Sequence, residues 1–232
     1  MDTAPKTPDR IREIALVAAL VVGIVAGPVV GSLGSSLLTP SLPVVGLAET
    51  IAPDAGRDRE TILRVVRQHR RSASETWRAQ LADAVHDEAR RADVDPLLVA
   101  SIVARESSFH SRAVSQAGAI GLMQIRPFVA EDVAARHALD WSGIEMLHDP
   151  AINVRLGVTY YKQLLRRFGG DEGKALTAYN VGPTRVSLAV RAGTFSANRY
   201  AREVLDLYEQ LTASRGNWAL LRPATTPAAD PA

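Results

Sequence analysis

The sequence predicts an all-α (mainly α) fold preceded by a membrane-spanning or signal helix, and three observations carry that expectation. Between Ser74 and about Ala213 no segment shows the strict period-two alternation, bounded by turn signals, that marks a half-buried strand. Helix starts are written out at Asp95-Pro96 and Asp149-Pro150, each a capping carboxylate followed by proline at the first helical position. Near the front, Ile14 through Ala48 contains no charged residue.

Taken in order, residues 1–13 are polar and carry Lys6, Arg10 and Arg12. Residues 14–33 read IALVAALVVGIVAGPVVGSL, long enough for a spanning helix of about 20 apolar residues. The basic flank puts the N-terminal end in the cytoplasm. An uncleaved anchor is favoured over a signal peptide cut near Gly46-Leu47-Ala48, because that site lies far beyond the apolar core. A buried core helix fits poorly, since the run has no polar face. Residues 34–57, rich in Ser, Pro and Gly, are expected to form a linker, and 58–80 a helical lead-in. The basic run from Arg67 to Arg71 reads as a solvated face.

Residues 81–213 are expected to be the folded domain. The helix from Pro150 should end at Phe168-Gly169-Gly170, with Arg166 and Arg167 in its last turn as the helix dipole prefers. Gly182-Pro183 should separate two short helices, and Tyr200 to Leu211 should close the domain. The tail, 214–232, is rich in Pro, Ala and Thr toward its end and is expected to be disordered.

Composition removes several chemistries. The absence of cysteine excludes disulfides, thiolate metal sites, a cysteine nucleophile and an acylated-cysteine anchor. The five histidines (His69, His86, His110, His137, His148) form no compact metal-ligand spacing. Neither a phosphate-cradling loop nor GxSxG is present. No cofactor is expected. A net charge of +2 with a pI near 9.1 gives a weak attraction to acidic polymers. No helix carries a dense basic face with base-reading residues, which argues against nucleic acid as a partner.

The helix Pro96 to Glu106 is the most informative. Stepping by four from Leu98 reaches Ile102 and then Glu106, so this glutamate ends the apolar stripe near the helix C-terminus. Desolvation and the helix dipole there both disfavour the negative charge and should raise its pKa, as suits a general acid. The competing reading is a glutamate that reaches the surface or pairs with Arg112.

The residues after Glu106 form a more specific pattern. Glu106-Ser107-Ser108-Phe109 leads to Ala113-Val114-Ser115 and then to Gly118-Ala119-Ile120-Gly121-Leu122-Met123-Gln124-Ile125-Arg126-Pro127. Two more blocks come next in order: Asp149 to Val154 with Gly157, and Ala175-Leu176-Thr177-Ala178-Tyr179-Asn180-Val181-Gly182. Asn198-Arg199-Tyr200-Ala201 closes the series. This pattern resembles the catalytic domain of the soluble lytic transglycosylases, over roughly Leu81 to Leu211. The resemblance implies a lysozyme-like fold and a lyase that cuts peptidoglycan between N-acetylmuramic acid and N-acetylglucosamine, leaving 1,6-anhydromuramic ends. It implies glycan strands as partner, while Lys6, Arg10 and Arg12 before the apolar run put the folded domain outside the inner membrane, in the periplasm.

By the same resemblance Glu106 is the catalytic acid/base, and Ser115 and Gln124 line the sugar groove. Met123 forms part of the groove wall or belongs to the core. Asn153 contacts substrate or braces a helix. Tyr179 and Asn180 lie beside the glutamate, with the tyrosine hydroxyl at the scissile bond, and Tyr200 is a further groove residue. Arg126 stands where the family often has a smaller or apolar residue, a departure that bears on peptide or sugar preference. Two alternatives stay open. A lysozyme-like hydrolase would need a second carboxylate, and Glu131, Asp132 and Asp149 read instead as helix-start or exposed positions. A non-catalytic wall-binding scaffold would be expected to lack Glu106.

Overall fold

The computed structural model describes residues 53–215. Eight α-helices run through them: α1 (Pro53–His69), α2 (Glu75–Arg91), α3 (Pro96–Ser107), α4 (Pro127–His137), α5 (Pro150–Arg167), α6 (Glu172–Val181), α7 (Pro183–Arg191) and α8 (Arg199–Ala213). A 3-10 turn, Ile144–His148, precedes α5. The only β pairings among the described residues are two isolated bridges, Val114 with Ile120 and Ile120 with Ile125. The all-α expectation therefore holds for these residues. No helix among them is long and apolar enough to cross a membrane. The apolar run at 14–33, most of the expected linker and all but the first two residues of the expected tail lie outside the described residues. One boundary differs from expectation: α1 starts at Pro53, inside the stretch read as linker.

Capping chemistry sets the helix starts as the sequence suggested. The Asp95 carboxylate accepts from Leu97 N–H at 2.8 Å, and Asp149 accepts from Ile152 N–H at 2.9 Å. Ser74, Asp171 and Asn198 cap α2, α6 and α8 in the same way. Each satisfies a backbone donor that the first turn leaves orphaned.

Helix α3 is the axis of the core. Every residue from Pro96 to Ala104 is buried, and α1, α2 and α8 pack around it. It is therefore apolar on all sides, not on one stripe, and Ser101 is accommodated by donating its hydroxyl to the Leu97 carbonyl at 2.8 Å. Polar residues begin only at its last turn, with Arg105 exposed and Glu106 partly buried. Beside α3, α5 packs against α2, α4 and α6, and α6 against α7 and α8. The basic run from Arg67 to Arg71 closes α1 and is mostly exposed, with Arg67 paired to Glu75 and the Arg70 carbonyl accepting from Arg78 Nε at 2.8 Å.

The segment between α3 and α4 crosses the end of α3. Ser108 and Phe109 take left-handed backbone angles and turn the chain sharply, and fully buried Phe109 anchors the turn. Gly121 N–H donates to Ala113 O at 2.8 Å, and the two bridges pin the rest. A side chain at Gly121 would stand 2.7 Å from Asn153 Cγ, and its φ is +79°, so only glycine fits.

Candidate active site

Glu106 lies at the junction of a cleft with two lobes. One lobe, of about 430 Å³, has largely apolar walls that include Ile125, Val129, Tyr160 and Tyr179. The other, of about 590 Å³, is polar, with Arg105, Asn198, Arg199 and Tyr200. Glu106, Ser115, Gln124 and Asn180 line both. Glu106 is the one carboxylate among the lining residues of either lobe.

The Tyr200 hydroxyl donates to Glu106 Oε1 at 2.7 Å. Burial pushes the Glu106 carboxyl up to about 7 from an ordinary 4.5, although the Tyr200 hydrogen bond and the Arg105 charge both pull it down. Burial and the Glu106 charge hold Tyr200 well above the normal tyrosine range, so its hydroxyl remains a donor. Arg105 is drawn toward Glu203, at 2.5 Å, which Arg199 also meets at 2.6 Å. Glu106 takes its hydrogen bond from α8, not from Arg112. The result is a carboxylic acid that carries a proton near neutral pH and faces open space large enough for a ligand.

The sequence model described as the Transglycosylase SLT domain matches residues 83–200, about half of the chain and all of the cleft's Glu106-to-Tyr200 span. The chain belongs to this family. Curated relatives agree. The soluble lytic murein transglycosylase of Salmonella typhimurium is 30% identical over 118 residues, covering 50% of this chain and 18% of that protein. The membrane-bound lytic murein transglycosylase E of Buchnera aphidicola from Acyrthosiphon pisum is 32% identical over 133 residues, covering 56% of this chain and 59% of the relative. This chain therefore spans less than two thirds of either relative. The solved 70 kDa soluble lytic transglycosylase of Escherichia coli superposes with a TM-score of 0.54 at 21% identity, over 68% of this chain and 29% of that one, and shows the shared lysozyme-like fold.

Within this SLT domain the expected site residues divide into two groups. Ser115, Gln124, Asn180, Tyr179 and Tyr200 surround the cleft with Glu106. Ser115 Oγ accepts from Ala119 N–H at 3.0 Å, which leaves its own hydroxyl proton for a ligand. Gln124 spends its amide nitrogen on the Ala113 and Gly121 carbonyls, at 3.2 and 3.0 Å, leaving its carbonyl oxygen as an acceptor. Asn180 accepts from Asn198 at 2.9 Å. Tyr179 is a wall residue whose hydroxyl is already committed, donating to the Met123 carbonyl at 2.8 Å. The hydroxyl that meets the acid comes from Tyr200.

Met123 and Asn153 do not reach the cleft. Both are fully buried. Met123 packs on Gly157, where an added Cβ would come within 2.7 Å of the Met123 Cβ. Asn153 accepts from Met123 N–H at 2.8 Å and donates to the Ile120 and Leu147 carbonyls, both at 2.9 Å. It braces the loop that carries Gln124, and the substrate-contacting and groove-wall readings of these two residues give way to structural ones. The three discounted carboxylates are accounted for: Asp149 caps α5, Asp132 pairs with Arg136 at 2.8 Å, and Glu131 is exposed outside both lobes. Sequence reading missed Tyr160, whose ring lies 5.4 Å from that of Tyr179 in the cleft wall. Adjacent Tyr161 is fully buried, and only the packing of α5 decides which of the two faces the opening. Arg105, Phe128 and Arg199 were likewise missed as lining residues.

Proposed function

We propose that this SLT domain cleaves peptidoglycan glycan strands between N-acetylmuramic acid and N-acetylglucosamine without water, leaving 1,6-anhydromuramic ends. The observation that carries the reading is Glu106: one cleft carboxylate, its pKa raised to about 7, oriented by Tyr200. A protonated Glu106 gives its proton to the glycosidic oxygen as the bond to C1 breaks. The positive charge left at C1 is met by the sugar's own N-acetyl oxygen, a substrate-assisted route that dispenses with a second carboxylate. Ionised Glu106 then takes the proton of the same sugar's C6 hydroxyl, whose oxygen attacks C1 and closes the 1,6-anhydro ring. The attack is intramolecular, so proximity supplies much of the rate. Ser115 offers a donor and Gln124 an acceptor to the N-acetylated sugars at the junction.

Mass analysis of muropeptides released in ¹⁸O-labelled water tests this. The expected products carry 1,6-anhydromuramic ends and no solvent oxygen. Labelled reducing ends would identify a lysozyme-type hydrolase, and binding without release a scaffold.

The apolar run 14–33 behind Lys6, Arg10 and Arg12 supports a second part of the proposal. It anchors the chain in the inner membrane with the N-terminus inside and the SLT domain in the periplasm. Reporter fusions after Arg57 should behave as exported, and cytoplasmic reporter activity there would overturn both the topology and the substrate, because the wall lies outside.

A further inference from the structure

Five large apolar side chains stand exposed among the described residues: Val114, Phe128, Ile144, Leu188 and Val190. Of these only Phe128 lines the cleft that holds Glu106. Phe128 is 63% exposed. Pro127 opens α4, and Phe128 sits next to it in the first helical turn. The Arg126 guanidinium lies 5.3 Å from the ring centroid and is itself tied to the Ala117 carbonyl at 3.4 Å. Arg126 and Ala117 are walls of the same lobe. Phe128 is absent from the polar lobe, whereas Glu106 lines both. The ring thus belongs to the apolar arm of the cleft and not to the polar one.

We infer that Phe128, backed by Arg126, is the platform of a sugar subsite in the apolar lobe, occupied by a further N-acetylated sugar of the strand being cleaved. A pyranose presents an apolar C–H face that suits an aromatic ring, and an N-acetylated sugar has a rim of hydroxyl and amide-carbonyl oxygens that suits the N–H donors of a guanidinium. A ring left open to solvent in the wall of the cleft, with a guanidinium beside it, has the geometry for such stacking. Stacking on a sugar whose own bonds do not change is made equally in ground and transition states, so it acts on KM and leaves kcat nearly unchanged. The inference rests on the glycan-cleaving function proposed above.

Steady-state kinetics on long peptidoglycan strands separate the two. Phe128→Ala should raise KM about tenfold, the size of a lost aromatic contact, with kcat within about twofold of wild type and an unshifted pH profile. Phe128→Trp should restore KM. An unchanged KM in Phe128→Ala, or a fall in kcat alone, overturns the subsite while leaving the function intact. If the wild type releases no products, the proposed function fails by itself. Retention of wild type and Phe128→Ala on insoluble peptidoglycan then still decides the subsite: weaker retention of the variant supports it and equal retention overturns it. Thermal unfolding of Phe128→Ala should match wild type, and a large loss of stability would show a packing role in its place.

Discussion

Glu106 connects acid–base chemistry to stability at the scale of one side chain. Its folded pKa of about 7 lies above the ordinary 4.5 because burial disfavours the charge. The folded chain therefore binds this proton more tightly than the unfolded chain, and stability falls as pH rises from about 4.5 to 7. Above pH 7 the cost amounts to about 3 kcal/mol. Glu106→Gln removes the titration while keeping the side chain's size and its acceptor for Tyr200. It should abolish nearly all cleavage, since acid/base catalysis alone contributes about 10²–10⁴-fold. It should also unfold like wild type near pH 4 but be more stable by up to about 3 kcal/mol at pH 8. Chemical denaturation across that range checks the sign, and a difference independent of pH would contradict the raised pKa of Glu106. Tyr200→Phe makes the complementary point. Loss of its donor removes the hydrogen bond that favours the carboxylate, so the alkaline limb of the kcat/KM profile should move above about 7. The rate should fall roughly tenfold or more, the scale of a hydrogen bond to a charged group. A limb that moves downward would contradict the role assigned to the hydroxyl.

At the scale of elements, the loop between α3 and α4 depends on the first turns of α5. From its buried side chain Asn153 satisfies the Met123 N–H and the Leu147 carbonyl, and gives the Ile120 carbonyl a second donor beside Ile125 N–H. Asn153→Ala leaves those groups without that partner in a dry environment, and should cost roughly 3 kcal/mol by thermal or urea unfolding. Gly121→Ala forces a Cβ against Asn153 at a positive φ, and should cost a similar amount through strain and overpacking. Both changes would disturb Gln124 indirectly, because it sits on the same loop. An Asn153→Ala variant of normal stability with a raised KM would restore the substrate-contacting reading for this residue.

Over the whole molecule, a partly buried ion pair joins α2 to α5. Arg155 grips Glu88 with two hydrogen bonds of 2.9 Å, and Arg91 adds a third contact. Burial alone would raise the Glu88 carboxyl, but Arg155 and Arg91 override it and hold it below its ordinary value. The stability it contributes is present above about pH 4.5 and is lost as pH falls through the lower folded pKa. Arg155→Ala should therefore destabilise by roughly 1–3 kcal/mol at pH 7, with the deficit shrinking in acid as Glu88 protonates. A deficit that grows in acid would rule out this pairing as its cause.

The sequence by itself determined several helix starts and the place of Glu106 at the end of α3. Asp95-Pro96 and Asp149-Pro150 start helices through local hydrogen bonds that need no tertiary partner. The four-residue step Leu98, Ile102, Glu106 placed the glutamate at the end of a buried helix face. The ordered blocks from Glu106 to Tyr200 identified the family. Tertiary structure decided everything that depends on who packs against whom. Tyr200 meets Glu106 across 94 residues of chain. Met123 is core because Gly157 leaves room for it, and Asn153 braces because the loop carbonyls close over it. Tyr160 faces the cleft while its neighbour Tyr161 faces the core. Caps and periodicity are encoded within one or two turns of helix. Burial, hydrogen-bond partners and the shift in Glu106 arise between distant segments, where a local pattern carries no information on which neighbour excludes the water.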